Sequence, residues 1–430
     1  MSALSGWRIG RVGDAITAAT GLDARESRLL ALLGTANAVN AYDLGILTLA
    51  LPAIQASLGI DEAHVGTMLA VIRLGMLPAL ALGILADRYG RRRLLLATIV
   101  GFTVCTMLTA GAPTAAAFIA TQFIARIFIA AEDTLGIVVI AEEIGAARRG
   151  LALGAAAALG GLGHGLAAVS FAVVGSGPSG WRLLYLAAAL PLVIVAWLRR
   201  SLTETSRFLA HQSRMAKLAA QQAGQVVTAA GLLRTLAREY PRRLLALAAM
   251  ILPIYLVTAP AIAFQSKFLQ EVHGYAPATV ALLYMAGGLV SVTTQLGVGR
   301  FSDRIGRKPI VLATVTLTAA GILLLYRGAG AWVPVGWLVM VAAYLGLDVM
   351  LSALGSELFP TAYRSTASAA RAVTATIGAA GGLALEGVLF TLTGSHAAAI
   401  TWMLVPLVIV PLALALLPET ARRELEEITS

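Results

Sequence analysis

The sequence predicts an all-α membrane protein with 12 transmembrane helices, arranged as two pseudo-symmetric six-helix bundles around a central cavity. Three observations predict it: the apolar composition, the spacing of the apolar stretches and an internal repeat. The 430 residues are 58% hydrophobic and 13% charged, whereas soluble domains carry about 25% charged residues. Such a chain cannot cover its surface with polar groups in water, so we expect it to lie in a lipid bilayer.

Twelve apolar stretches have the length of a transmembrane helix, which needs roughly 20 residues. They are apolar on all sides, unlike the alternating strands of a membrane barrel. The predicted spans are 29–54, 65–86, 94–112, 115–140, 150–174, 182–198, 244–266, 278–299, 310–327, 332–357, 366–392 and 396–416. They define a cytoplasmic N-terminal tail (1–28), a first bundle (29–198), an inter-bundle loop (199–243), a second bundle (244–416) and a C-terminal tail (417–430).

The net charge of +10 is explained by membrane topology. Alternate gaps between the spans, together with the two tails, hold 26 Lys and Arg residues, and the intervening gaps hold only 3. Positive residues accumulate on the cytoplasmic side of membrane proteins, so we expect a multi-pass protein of the cell membrane with both termini in the cytoplasm. A nucleic-acid partner would require a clustered basic face with stacking aromatic residues, and the sequence contains none.

The two halves of the chain repeat each other. GILADRYGRRR (83–93) follows the second span and GRFSDRIGRKP (299–309) follows the eighth, at an offset of 216 residues. Duplicated halves around a cavity are typical of transporters, whose substrate site lies near the midplane. Two more pairs occur at an offset of 215 residues: AEEIGAARRG (141–150) with SELFPTAYRS (356–365), and LTETSR (202–207) with LPETAR (417–422).

The doubled Gly-x-x-x-Asp-Arg-x-Gly-Arg-Arg pattern resembles the signature loop of the major facilitator superfamily. ELFPTAYR and PETAR resemble its sugar-porter and organic-ion branches, and YDLGILTLALPAI (42–54) is similar to proton-coupled aromatic-acid and metabolite symporters. The resemblance implies secondary transport by alternating access. The Gln-rich pattern of sugar porters and the helix 5 proline motif of drug/proton antiporters are both missing, and residues 158–168 have His164 where that proline is expected.

We predict a cytoplasmic gate around the signature loops. Asp87 could accept hydrogen bonds from the electropositive first turn of a helix in the other half. The loop arginines could pair with carboxylates after helices 4 and 10, latching the halves together, or they could be ordinary positive-inside anchors. Gly90 and Gly306 fit a turn with positive φ. The gate residues are Gly83, Asp87, Arg88, Gly90, Arg91, Glu142, Arg149, Asp303, Arg304, Gly306, Arg307, Glu357 and Arg364.

Charged residues inside transmembrane helices are costly and mark a pathway or a relay. Asp43 continues a polar stripe with Asn37 and Asn40 on the first helix. An arginine beside a buried acid lowers its pKa whereas burial raises it, so a conformational change could load or release a proton. We predict proton coupling at Asp43, with a static ion pair as the alternative, and we favour Arg126 over Arg73 as the partner; the resemblance implies the same pairing.

Two acids on the fourth helix have two interpretations. Asp133 shares a face with Gln122 and Arg126, and Glu132 is turned away by about 100°. Both acids are either a second proton site or interfacial acids that contact water. The predicted proton-coupling set is Asp43, Arg126, Asp133 and Glu132.

Polar side chains of both halves are candidate substrate contacts. Arg371 could bind a substrate carboxylate or tie down Asp348 or Glu357, and Glu386 is interpreted as a residue near the outer helix end. Histidine, glutamine and tyrosine could instead bridge helices. The substrate-binding set is Asn40, Tyr42, Arg73, Gln122, His164, Tyr255, Gln265, Gln295, Tyr344, Asp348 and Arg371.

Together these observations predict a proton-coupled symporter of a small, charged organic solute, acting as a monomer without a cofactor or a metal. The sign of the solute's charge stays open. Alternatives are a drug/proton antiporter, an uncoupled facilitator, and a receptor or sensor on a transporter scaffold. The sequence holds no nucleotide-binding loop, nucleophile–base pair or metal-ligand spacing, so we do not expect an enzyme.

Overall fold

The computed structural model describes residue 17 and residues 22–174, 177, 179–201, 229–360 and 363–421. These residues are helical almost throughout and include no β-strand. They form two compact units. The first unit contains the described residues up to Gly59 and from Gly75 to Ser201, and the second contains Ile60–Leu74 and the described residues from Ala229 onward.

The helices follow the apolar stretches of the sequence. The first unit contains α1 (Ala24–Leu49), α2 (Leu51–Leu58), α4 (Ala79–Tyr89), α5 (Arg91–Ala110), α6 (Ala115–Glu143), α7 (Ala146–Val174) and α8 (Gly180–Leu198). The second unit contains α3 (Glu62–Leu74), α9 (Ala229–Glu239), α10 (Pro241–Glu271), α11 (Pro277–Ile305), α12 (Arg307–Arg327), α13 (Trp332–Glu357), α14 (Arg364–Thr393), α15 (His396–Trp402) and α16 (Ile409–Ala415).

Local sequence signals explain where several helices begin. A capping box starts α1, in which the Asp23 side chain accepts from the Glu26 N–H and the Glu26 side chain accepts from the Asp23 N–H. Thr114 caps α6 through the N–H of Ala117. Gly90 and Gly306 have φ angles of 102° and 119°, which confirms the predicted positive-φ turns, because glycine lacks the Cβ atom that disfavours this conformation.

Ten spans of the described chain are long and apolar enough to cross a membrane. The other two predicted spans differ for physical reasons. The second is divided into α3 and α4 by a turn over residues 75–78, which ends in Pro78. The fourth, α6, differs because it carries the charged residues Arg126, Glu132 and Asp133 in its interior.

Two further segments differ from the predicted boundaries. The last span is not one continuous helix, because a 3-10 turn at Val405–Val408 that contains Pro406 separates α15 from α16. The predicted inter-bundle loop includes the helix α9, and residues 202–228 of that loop lie outside the described residues.

The segment Ile60–Leu74 packs with the second unit, although the sequence places it within the first bundle. Glycines allow its helix α3 to approach α14 closely. A Cβ atom at Gly66 would overlap the carbonyl oxygen of Leu383, and one at Gly387 would lie 2.8 Å from the carbonyl oxygen of Ala63. Small residues permit this backbone approach in membrane helices, so α3 packs against α14 with their backbones in close contact.

Large apolar side chains cover much of the outer surface. Val173, Leu190, Leu392 and Leu416 are each at least two-thirds exposed, and they lie on or beside different helices. Soluble monomers rarely expose apolar patches of this extent. The protein therefore presents an apolar surface suited to lipid.

A second close approach joins α10 and α14. A Cβ atom at Gly382 would overlap the carbonyl oxygen of Leu256, whereas one at the neighbouring Gly381 would meet nothing within 4 Å. Both glycines lie inside α14. They therefore form a matched pair in which only one glycine is required by packing.

We predict that Gly382→Ala lowers the stability of the protein by about 1–3 kcal/mol, because the added methyl group must push α10 away. Gly381→Ala should be neutral or stabilising by up to about 1 kcal/mol, because alanine favours the helix over glycine. The midpoint of thermal unfolding in detergent micelles, followed by tryptophan fluorescence, measures both effects. Equal midpoints for the two variants would contradict the prediction.

Candidate functional site

The first unit contains a buried ion pair at its centre. Asp43 on α1 is fully buried, and Arg126 on α6 is 4% exposed. Arg126 Nη2 lies 3.7 Å from Asp43 Oδ2, and Gln122, one helical turn before Arg126, is a second polar neighbour of Asp43. Arg73 lies in the second unit. The structure thus places Arg126, the favoured partner, beside Asp43.

The polar stripe of α1 contacts two neighbouring helices. Asn40 Nδ2 donates to Asp133 Oδ1 on α6 at 2.7 Å, and Asn37 Nδ2 donates to the carbonyl oxygen of Ala156 on α7 at 2.9 Å. Because Asn40 precedes Asp43 by three residues and Asp133 follows Arg126 by seven, both pairs lie along one seam between α1 and α6. Two acids therefore share a continuous polar seam.

Glu132 turns away from that seam, as its position on the helix predicts. It contacts Arg199 Nη1 through Oε1 and accepts from the Thr98 hydroxyl at 2.6 Å through Oε2. Glu132 is 3% exposed and Arg199 is fully buried. Sequence reasoning assigned Arg199 to the polar loop and missed this pair. The signal that could have found it is a buried acid on a neighbouring helix that requires a cation.

His164 and Tyr42 lie near the seam on other faces. The His164 side chain is exposed and bonds the carbonyl oxygen of Gly160 on its own helix, α7, rather than a neighbouring helix. The Tyr42 hydroxyl donates to the carbonyl oxygen of Leu184 on α8 at 3.5 Å. Tyr42 therefore bridges two helices.

The second unit contains a more open charged cluster. The Tyr255 hydroxyl donates to Asp348 Oδ1 at 2.5 Å, and Arg371 Nη1 lies 3.7 Å from the same oxygen. The side chains of Asp348 and Arg371 are 44% and 23% exposed. The Tyr344 ring lies edge-on to that of Tyr255 at 6.5 Å. Of the two groups that Arg371 could tie down, the structure places it beside Asp348.

Arg73 adds a second cation to this cluster. It lies on α3, within electrostatic range of Tyr344, and its Nε is buried without a hydrogen-bond partner among the described residues. Two arginines thus accompany one aspartate, which leaves the cluster with an excess of positive charge. Nearby on α10, Gln265 Nε2 donates to the Tyr284 hydroxyl at 2.9 Å and bridges to α11, on which Gln295 is half-buried.

The signature arginines pair within their own units. Arg307 contacts Glu357 at 2.9 Å and Asp303 at 2.8 Å. Arg91 Nη2 lies 3.2 Å from Glu142 Oε1. Both carboxylates are among those predicted from the sequence, and the latch between halves stays a prediction. Of the other gate residues, Arg304 is exposed and Arg364 is half-buried. Gly83 lies within α4, and the side chains of Asp87, Arg88 and Arg149 lie outside the described residues.

The LPETAR segment supplies a helix cap that sequence reasoning missed. Glu419 accepts the backbone N–H of Arg307 at 2.8 Å and that of Lys308 at 3.1 Å, at the start of α12. Burial acts to raise the pKa of Glu419. However, these two N–H groups, together with the N–H groups of Thr420 and Ala421, stabilise its carboxylate, so the net pKa is lowered. The repetition of LTETSR (202–207) as LPETAR (417–422) was the sequence signal that could have indicated a role for Glu419. Its counterpart in the first half, at 202–207, lies outside the described residues.

Another cluster joins four helices of the second unit. His396 lies between Glu62 and Glu386, and Lys267 lies between Glu62 and Glu271. Glu386 lies seven residues before the end of α14, and it is fully buried. Its ionic partners come from other segments of the chain, which explains why spacing along α14 alone does not reveal them.

We predict that Arg199→Met destabilises the protein by about 3–5 kcal/mol, because Glu132 is left as a buried charge without its cation. The double variant Glu132→Gln/Arg199→Met removes both charges and should recover most of that loss. Thermal unfolding midpoints of the single and double variants measure the coupling. A double variant that is no more stable than Arg199→Met would contradict the predicted role of the pair.

Comparison with known proteins identifies the family of this chain. The profile of the Major Facilitator Superfamily matches residues 33–296 and 245–429. The chain is 28% identical over 407 residues to a probable 4-methylmuconolactone transporter of Cupriavidus pinatubonensis, covering 91% of this chain and 90% of that protein. It is 26% identical over 189 residues to the niacin transporter NiaP of Acinetobacter baylyi, covering 44% of this chain and 43% of that protein.

Solved structures show the same fold. The xylose transporter XylE from E. coli, in an inward open conformation, matches with a TM-score of 0.72 at 17% identity, covering 93% of this chain and 98% of that chain. These findings agree with the predicted twelve-helix, two-bundle architecture. The chain therefore belongs to the Major Facilitator Superfamily, and it is a multi-pass membrane transport protein rather than an enzyme.

Proposed function

We propose that this protein is a proton-coupled symporter of a small organic carboxylate, with both termini in the cytoplasm. The observation that carries the proposal is the Asp43–Arg126 pair, which is buried in the first unit with its charged atoms 3.7 Å apart. A buried acid within a membrane helix is costly and calls for a functional or a structural reason. Glu132, which has a close partner in Arg199, serves as a structural ion pair in this proposal.

The geometry of the seam suits reversible protonation. The 3.7 Å separation of Asp43 and Arg126 exceeds that of a charge-assisted hydrogen bond, so the pair is not locked by close contact. Protonation of Asp43 would remove its attraction for Arg126, and changes in burial or in the distance to the cation would favour release. Asp133 lies about 10 Å further along α6, from a rise of 1.5 Å per residue. It is half-buried, and we assign it as the relay toward water.

The cluster in the second unit suits an anionic solute. Arg371 and Arg73 outnumber Asp348, and Arg371 is partly exposed. A guanidinium group binds a carboxylate through two parallel N–H donors, while the rings of Tyr255 and Tyr344 offer apolar faces to a ring-shaped solute. The names of two relatives, a probable 4-methylmuconolactone transporter and a niacin transporter, support this choice, because each of these solutes carries a carboxyl group.

We predict that Asp43→Asn abolishes accumulation driven by a pH gradient while exchange of solute across the membrane continues, because the amide cannot take up a proton. Proteoliposomes loaded with unlabelled solute measure exchange, and an imposed pH gradient measures accumulation. Asp61→Asn is the control, since the Asp61 side chain is 84% exposed. Accumulation by Asp43→Asn at the native level would make Asp43 a structural residue.

We predict that Arg371→Gln raises the apparent KM for a monocarboxylate such as niacin by about ten- to a hundred-fold, because a hydrogen bond to a charged group contributes about 1.5–3 kcal/mol. The native protein should prefer the acid over its neutral amide, and the variant should lose that preference. Arg371→Lys, which keeps the charge without the planar donor pair, should be intermediate. An unchanged acid-to-amide preference in Arg371→Gln would remove this residue from the solute site.

A further inference from the structure

The cluster around His396 connects α3, α10, α14 and α15. His396 Nδ1 lies 2.5 Å from Glu386 Oε1, and its Nε2 lies 3.0 Å from Glu62 Oε2. The other Glu62 oxygen accepts from Lys267 Nζ at 2.9 Å, and Lys267 also contacts Glu271 at 2.8 Å. Each ring nitrogen of His396 thus faces a different carboxylate, and the two carboxylates come from different helices.

The imidazole is held in place by aromatic rings and by burial. It stacks between Phe264 and Phe390, with ring centroids 4.5 Å and 4.3 Å away. Glu386 is fully buried, and its Oε2 has no hydrogen-bond partner in the described chain. That oxygen would lie 3.0 Å from a Cβ atom at Gly66. The acid is therefore enclosed between α14 and the glycine of α3.

Counting donors and acceptors shows that this arrangement needs one additional proton. A neutral imidazole has one N–H donor and one acceptor nitrogen, and an ionised carboxylate has acceptors only. Two ring nitrogens facing two carboxylate oxygens can therefore form two hydrogen bonds only if both nitrogens carry protons, or if one carboxyl group is protonated. Between two carboxylates, the doubly protonated ring is favoured by direct charge attraction.

We propose that His396, Glu62 and Glu386 form a proton-binding site that holds α3 against α14 and α15 while His396 is doubly protonated. Loss of the proton leaves one ring nitrogen as an acceptor opposite a carboxylate oxygen. One of the two contacts must then break. This site is separate from the Asp43–Arg126 pair and lies entirely within the second unit.

The charged and titratable surroundings favour a cation at His396. Glu62 faces it from α3, Glu386 from α14, and Lys267 and Glu271 from α10, so three carboxylates accompany one lysine. From α12, Tyr326 is close enough to Glu386 to interact electrostatically, and Arg327 binds the Thr401 hydroxyl on α15 at 3.0 Å. The second proton on the imidazole offsets an excess of negative charge around it.

Release of the contact would remove a polar attachment of α3, whose Glu62 also pairs with Lys267 on α10. The approach of α3 to α14 depends on Gly66 and Gly387, and Glu386 Oε2 would lie 3.0 Å from a Cβ atom at Gly66. The chain leaves α3 through the turn at residues 75–78 and continues into α4 of the first unit. In this proposal, the proton therefore controls whether α3 stays docked against α14 and α15.

Nitrogen-15 NMR of histidine-labelled protein in nanodiscs tests the proton directly. The chain has five histidines, and the signal lost in His396→Gln identifies His396. At ~pH 7.5, about one unit above the ordinary histidine pKa, both ring nitrogens of His396 should carry protons. The nitrogen-15 shifts of free histidine at the same pH serve as the reference. A singly protonated His396 at this pH would overturn the proposal.

Cysteine accessibility tests the docking of α3. In a Cys105→Ala background, Val65→Cys reports on a buried position of α3 and Thr67→Cys on an exposed one. The maleimide labelling rate of Val65→Cys is divided by that of Thr67→Cys, and this ratio cancels the pH dependence of the thiol chemistry. That ratio should rise at least threefold between ~pH 6 and ~pH 9, across the range in which histidine titrates, and should not change with pH in His396→Gln.

A ratio that is independent of pH in the native background, or one that still rises in His396→Gln, would overturn the proposed control of docking. Glu386→Gln provides a second variant that keeps the imidazole: it should lose the doubly protonated His396 signal at ~pH 7.5. Neither readout involves transport. Failure here therefore leaves the proposed coupling at Asp43 untouched, and failure of that coupling leaves this site untouched.

Discussion

Buried charges within apolar helices need partners, and this constraint organises both units. An isolated ion in a low-dielectric interior costs several kcal/mol or more, and a partner from another helix offsets that cost. Asp43 meets Arg126, and Glu132 meets Arg199, so pairs of charges join α1 to α6 and α6 to the end of α8. In the second unit, Arg371 meets Asp348, and His396 meets Glu62 and Glu386. Charge pairs therefore join particular helices, and glycines set how closely other helices approach.

Much of this architecture could be predicted from the sequence, because the bilayer imposes strong periodic constraints. Apolar stretches located the helices, and the doubled signature loop located the repeat and the positive φ angles of Gly90 and Gly306. The Asn40–Asp43 stripe and the position of Arg126 indicated a polar seam, which the structure places between α1 and α6. These features depend on residues close together in the sequence or on helical spacing.

The remaining features depend on contacts between distant residues, which spacing along one helix does not contain. Arg199 was assigned to a loop because it follows the last apolar residue, but the helix end brings it to Glu132. Glu386 was interpreted as a residue near the outer helix end, but its contacts could not be predicted: His396 lies 10 residues further along the chain, and Glu62, the next carboxylate, lies 334 residues before that histidine. The packing of α3 with the second unit follows from Gly66 and Gly387, which spacing alone does not distinguish from other glycines.

The two charged clusters differ in a way that suits different tasks. Asp43 and Arg126 are almost completely excluded from solvent, whereas Asp348 and Arg371 are 44% and 23% exposed. A proton needs no cavity and is retained best at a buried acid, whose charge state depends strongly on its surroundings. An organic solute needs room and exposed donors to exchange for its water of hydration. Duplication of one six-helix unit thus leaves each half free to specialise: in the proposed mechanism the first unit binds the proton and the second binds the solute.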